Sequence, residues 1–215
     1  MPILRDMIPD GSLLINEIEA FRRFLSSNPR GERAHFLPFF RTHLQLCAHL
    51  ATLNDKVGAA THVGTEVPLW ADFTCDLVAG SIQDRAFVFV EFEDASATSV
   101  FRPELGRKNS HWGRRVEHGI SQVTDWLFRI NSEGSSDRME RDFGSRHITP
   151  MGLVVAGRSQ DIIAYDRIRL DWRSRNSVIG GAKLAIVTYD DLLSWLDGRI
   201  ILLRSLGASP ESLTL

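Results

Sequence analysis

The segment AFVFVEFED, residues 86–94, is apolar over its first five residues and then sets Glu91 and Glu93 on either side of Phe92. So dense a run of aromatic and β-branched residues reads as a buried strand. Alternate side chains of a strand share a face, so the two glutamates point the same way. The preceding run from Asp72 to Gly80 reads as a second strand, and Ser81–Arg85 supplies the turn between them. With Gln83-Asp84 at the tip, the hairpin sets Asp76 across from Glu91; a slip of two residues sets Asp72 across from Glu93 instead. Either register gathers carboxylates at the end of an apolar hairpin. Burying like charges costs stability unless a positive species sits between them, and a divalent metal ion is the usual one. Carboxylates solvated at a polar sheet edge are the alternative reading of the same spacing.

A chain of 215 residues with 43% hydrophobic content is long enough for one generous domain. Its formal charge of -2 excludes a globally basic nucleic-acid binder, so any such surface is local. Lysines occur only at 56, 108 and 183, which limits where a catalytic ammonium can come from. Cys47 and Cys75 lie in apolar contexts without metal-ligand spacing and read as buried thiols. No secretory pattern and no membrane-spanning apolar run is present, so the expected location is cytoplasmic.

The hydrophobic period divides the chain into an N-terminal helical region over 1–60, a core over 61–206 and a tail over 207–215. Leu14, Ile18, Phe21 and Leu25 mark a first helix, ended by Asn28-Pro29-Arg30-Gly31. A second runs through about Phe36 to Leu53, with Pro38 tolerated in its first turn. Glu66–Trp70 and the hairpin follow, then a basic connection over 94–111. A strong helix spans Arg114 to Ile130, with His118, Gln122 and Asp125 on one flank of its apolar stripe. Residues 131–150 are rich in Gly, Ser and charge and read as a mobile loop. Gly152–Gly157 is a strand, Ser159 is the expected cap of a helix reaching Arg175, and Lys183–Val187 is another strand. Thr188, with Asp191 three residues on, caps the last helix. Strand–helix–strand–helix with short links implies parallel pairing and an α/β fold.

An Asp on one strand, Glu-x-Glu on the next, and then alternating helices and strands resembles the PD-(D/E)xK nuclease core. In such a site an Asp and a Glu hold Mg²⁺ or Mn²⁺, completed by a backbone carbonyl (here that of Phe92) and waters. Glu93 stands where the motif has lysine, and Lys108, in the basic connection, is the residue best placed to supply the missing charge. The segments Cys75-Asp76-Leu77-Val78, Val90-Glu91-Phe92-Glu93-Asp94-Ala95, Ser99-Val100-Phe101, Arg107-Lys108, Glu117-His118-Gly119, Ser121-Gln122 and Asp125-Trp126 extend the likeness. Gly152–Arg158 and Thr188-Tyr189-Asp190-Asp191-Leu192-Leu193 follow in the same order. Together they resemble the Shedu family of bacterial anti-phage proteins over roughly residues 66–196.

The resemblance implies a mixed central sheet flanked by helices and a metal-dependent nuclease acting on DNA, working as a homo-oligomer and alongside a defence-system partner protein. Asp76, Glu91 and Glu93 are the implied metal-binding residues, with Lys108 and Gln122 assisting catalysis. Arg102, Arg107, Lys108, Arg114 and Arg115 are the candidates for phosphate contact. Glu66 and His118 are further site candidates. The missing motif lysine keeps a second reading open, a nucleic-acid-binding or sensor module without catalysis.

Overall fold

The computed structural model describes residues 3–70, 72–106, 109–134 and 136–205; the expected tail over 207–215 lies outside them. After the short strand β1 (Arg5–Asp6) comes helix α1 (Gly11–Ser26), whose first turn is capped by the Asp10 carboxylate accepting from the Leu13 N–H at 2.9 Å. A single π-helical turn, Glu32–Phe36, leads into α2 (Leu37–Thr42) and α3 (Leu44–His49). Strands β2 (His62–Leu69), β3 (Phe73–Ser81) and β4 (Ala86–Phe92) form a meander. Two-residue strands β5 (Phe101–Arg102) and β6 (His111–Trp112) pair with each other, and helix α4 (Arg114–Ser132) and helix α5 (Asp137–Phe143) follow. Strand β7 (Thr149–Val155), α6 (Ala164–Asn176), β8 (Val178–Ile179), β9 (Ala182–Val187) and α7 (Tyr189–Ser205) complete the described chain. None of the described helices is long and apolar enough to cross a membrane.

The seven-stranded sheet runs β1-β2-β3-β4-β7-β9-β8, antiparallel on the meander side and parallel from β4 through β7 to β9. That is the α/β arrangement expected of the sequence. Val88, Val90 and Phe92 of β4 enter one core with α1, α2, α3 and α7. Phe87 and Phe89 enter the other with α4, α5 and α6. Both faces of β4 are covered, which is why its sequence is an unbroken apolar run.

Several local expectations change. The single helix expected over Phe36–Leu53 is broken at His43 (φ -118, ψ 66). The break leaves α3 with a free first turn, and the buried Glu17 carboxylate accepts from the Leu46 N–H there at 2.7 Å. The loop expected over 131–150 contains α5, started by Ser136 accepting from the Met139 N–H and stopped by Gly144 in the left-handed region. Its buried Phe143 meets Phe87 and Phe89 edge-on and tilted. Ser159 opens only a 3₁₀ turn, and α6 starts at Ala164. Thr188 and Asp191 form the expected reciprocal cap, the Asp191 carboxylate accepting from the Thr188 N–H and the Thr188 hydroxyl from the Asp191 N–H.

Arg158, at the end of the β7 segment, is buried and braces the two helices beneath the sheet. Its guanidinium donates to the Asp190 carboxylate through Nε and Nη2, and to the Leu25 carbonyl through Nη1. Partial burial pulls the Asp190 pKa up, but the Arg158 and Ser159 donors outweigh it and hold the carboxyl below its usual value. Removing it by Asp190→Ala strands a buried cation, and unfolding in urea at pH 7 is expected to show a loss of about 3 kcal/mol. The wild-type contribution is present above the ordinary Asp pKa and fades as pH falls through the folded one, so the gap between the two proteins narrows in acid.

Candidate functional site

The site forms where β4 ends, because that is where its face pattern changes chemistry. The hairpin takes the register that sets Leu77 against Val90, which continues to bring Asp76 opposite Glu91. The Asp76 carboxylate accepts from the Phe92 N–H at 2.9 Å and shares a hydrogen bond with the Glu91 carboxyl. One residue past the strand, the Glu93 N–H still donates to the Val155 carbonyl of β7 at 2.9 Å. Glu93 is thereby held in strand-like alternation with Glu91. Phe92, between them, turns into the opposite core and stacks on Phe40 with ring centroids 4.0 Å apart.

Helix α4 lies across this face, and Gly119 lets it approach. A Cβ at Gly119 would lie 2.9 Å from Val154 Cγ1, 3.2 Å from Glu93 Cγ and 3.5 Å from Glu91 Cγ. The glycine in Glu117-His118-Gly119 is therefore a packing requirement. With the helix seated so closely, His118 Nδ1 comes within 2.6 Å of Glu93 Oε1, and the Gln122 amide within 3.3 Å of both imidazole nitrogens. Glu117, on another side of the helix, pairs with Arg173 of α6 and stays out of the site.

Glu91 and Glu93 are 5% and 1% exposed, and each keeps one side-chain oxygen, Oε2, buried without a hydrogen-bond partner. Glu91, Glu93 and His118 each offer a ligand atom, all within 4.8 Å of one another. Burial raises the Glu91 pKa to about 10, helped by the charges of Asp76, Glu93 and Glu32. Burial likewise lifts Asp76 to about 7 against the Phe92 N–H, with Glu32 and Glu93 adding to the rise. Glu93 is raised too, chiefly by burial and against the pull of His118. Orphaned buried oxygens on adjacent carboxyls are costly as they stand, and a divalent cation is the group whose charge and hard-ligand preference match them.

A cleft of about 1020 Å³ opens over these groups. Asp76, Glu91, Asp94, Arg115, His118 and Gln122 line it together with Glu66, so the strand and helix candidates converge. Glu66 adopts a left-handed φ of 51 and pairs with Arg41 across the cleft wall. Its conformation has a visible effect. Val63 packs in one core but Val67 and Leu69 in the other, although plain alternation would keep all three on one face. The strained residue turns the strand over, a kind of strain that clusters at functional sites.

The candidate basic residues divide. Arg115 Nε pairs with Asp94 at 2.9 Å and its Nη1 lies 3.8 Å from Glu93 Oε2, putting a guanidinium beside the carboxylates. Arg102 and Arg114 line an adjoining hollow with Trp112 and Arg115. Arg107 and Lys108 lie outside the described residues.

Sequence reasoning missed Glu32. The π-helical turn brings this N-terminal residue to the cleft, where its charge acts on Asp76, Glu91 and Glu93. Partial burial raises its own pKa, against the opposing pull of Arg115. The available signal is Arg30-Gly31-Glu32 ahead of an aromatic run, in the short stretch between the two expected helices.

Gly119→Ala isolates the packing argument. On helix propensity alone it should stabilise α4 by about 1 kcal/mol. The contact with Val154 instead predicts a net loss of about 1–3 kcal/mol in urea unfolding; a raised midpoint would show that α4 does not sit on the carboxylates.

Comparison with known proteins agrees with this geometry in its extent. No curated protein matches the sequence. The model of the family described as "Shedu protein SduA, C-terminal" matches residues 31–193, beginning beside Glu32 and covering strands β2 to β9, α4 and the start of α7. With well over half of its length matched, this chain belongs to the Shedu family of anti-phage defence proteins.

Proposed function

We propose that the chain is a metal-dependent nuclease that hydrolyses DNA phosphodiester bonds in anti-phage defence. The observation that carries this reading is the pair of buried oxygens on Glu91 and Glu93 that accept no hydrogen bond, beside a cleft whose lining includes Glu91 and Arg115. Asp76, Glu91 and Glu93 would hold Mg²⁺ or Mn²⁺, which when bound polarises a phosphoryl oxygen and lowers the pKa of a water. Arg115 stands where a phosphate would meet the carboxylates, and its pairing with Asp94 fixes its direction. Arg102 and Arg114 extend the positive surface along the adjoining hollow, where the indole of Trp112 offers a stacking face. The Gln122 amide steadies the His118 ring at the mouth. Because Glu93 occupies the lysine position of the motif, the positive charge at the site would come, among the described residues, from Arg115, which would bind and orient a phosphate while staying protonated. The same departure favours, as a second reading, a module that binds DNA without cutting it.

Glu91→Gln preserves shape and removes the charge that holds the ion. Cleavage of supercoiled DNA with Mn²⁺ or Mg²⁺ is expected to fall at least about 100-fold, with salt-dependent DNA binding retained. Wild-type DNA binding without cutting under any divalent ion supports the second reading, and undiminished cutting by the variant removes Glu91 from the mechanism.

Protonation gives an independent test. In the metal-free fold, Asp76 and Glu91 keep their protons to about pH 7 and about pH 10, whereas unfolded carboxyls lose theirs near pH 4. The folded state then binds more protons than the unfolded across that window, so stability falls as pH rises through it. A bound cation holds the carboxyls ionised and opposes the fall. The metal-free melting temperature is expected to decline from pH 5 to pH 9, and the increase on adding Mn²⁺ to be larger at pH 8 than at pH 6. A metal-free protein that gains stability across this range contradicts a buried, protonated cluster.

A further inference from the structure

We infer that His118 is a metal ligand of this site and makes it selective for a nitrogen-accepting transition ion such as Mn²⁺ over Mg²⁺. The inference rests on the proposed metal site and concerns which ion it takes. Three observations converge. First, a ligand atom of His118 lies within 4.8 Å of those of both Glu91 and Glu93, close enough for all three to meet at one ion. Second, the oxygens orphaned in that trio, Glu91 Oε2 and Glu93 Oε2, belong to side chains more than nine-tenths buried. Third, the ring is held in place from two sides, Glu93 Oε1 at 2.6 Å from Nδ1 and the Gln122 amide 3.3 Å from each nitrogen.

The chemistry of this donor set differs from that of a carboxylate-only site. Mg²⁺ sheds water reluctantly and prefers oxygen, so a site offering imidazole leaves one of its positions to solvent. Mn²⁺, and more strongly the later divalent ions, accept imidazole along with carboxylate. Asp76, hydrogen-bonded to Glu91 in the metal-free fold, would add a further carboxylate charge once the shared proton leaves. Gly119 is what permits the arrangement, because the next helix residue after His118 must pass within van der Waals contact of both glutamates. His118 itself is half-exposed, so replacing it disturbs no core.

The test is metal binding to the full chain, read without reference to cleavage. Calorimetric titration of wild type is expected to give one Mn²⁺ per chain, bound at least roughly tenfold more tightly than Mg²⁺. Pulsed electron paramagnetic resonance of that Mn²⁺ should show coupling to a directly bound imidazole nitrogen. In His118→Gln, with folding checked by circular dichroism, Mn²⁺ affinity should fall about 10–100-fold, Mg²⁺ affinity should change little, and the nitrogen coupling should vanish. Mn²⁺ binding in wild type without nitrogen coupling, or an unchanged Mn²⁺/Mg²⁺ ratio in the variant, overturns the inference and leaves a carboxylate metal site standing. Absence of binding by either ion in wild type overturns the metal site itself, and the inference with it.

Discussion

Phe92 is the residue on which the rest of this architecture turns. Its ring is fully buried and stacked on Phe40, while Tyr189, itself stacked on Phe36, lies close by. Burying a phenyl ring stabilises by about 2–3 kcal/mol, enough to fix which way the end of β4 faces. With Phe92 committed to one core, alternation forces Glu91 and Glu93 onto the other side, beneath α4. The Tyr189 hydroxyl donates to the Glu93 carbonyl at 2.7 Å and secures the backbone just past the strand. The apolar core thus supplies the free energy that holds these carboxyl groups together before any counter-ion arrives.

The same aromatic stack ties the N-terminal helices to the site. Phe36 closes the turn that delivers Glu32 and Phe40 follows in α2, and Arg30 donates to the Ala95 carbonyl and pairs with Asp161. The cleft therefore has one wall from before the meander, a floor from β3 and β4, and another wall from α4. Its elements are far apart in sequence, and a parallel crossover separates β4 from its neighbour β7. The arrangement is set by long-range packing, with short-range propensity deciding only the pieces.

How much of this could be read from residues follows from that division. The strand run at 86–92 is legible because both its faces are buried; the hairpin is legible from the polar turn between two strand-like runs, while its register, left between two choices by the sequence, is the one that sets Leu77 against Val90. Helix α4 is legible from its stripe, and Gly119 announced close packing because glycine is otherwise a poor choice inside a helix. The break at His43 was not legible, since its compensation, Glu17 capping α3, lies in another helix. Helix α5 was hidden because charge and glycine dominate its surroundings, and only Met139 and Phe143 reach the core. The inclusion of Glu66 and Glu32 in the cleft depends on a left-handed residue and a π-turn, neither of which carries a sequence pattern.

The short loop after β4 has a consequence for how such a site diversifies. Asp94 accepts from the Ser96 N–H, from the Ser96 and Ser99 hydroxyls and from Arg115, while the Val116 N–H donates to the Ser99 carbonyl. This polar knot joins the end of the strand to the beginning of α4 without using the residues between. Of the residues between, Val100 and Phe101 are buried in the core, and Phe101 stacks on Trp112 with ring centroids 4.6 Å apart. Substitution among the exposed residues 102–106 leaves this knot and the carboxylates beside it untouched, so that stretch can vary without disturbing the cluster.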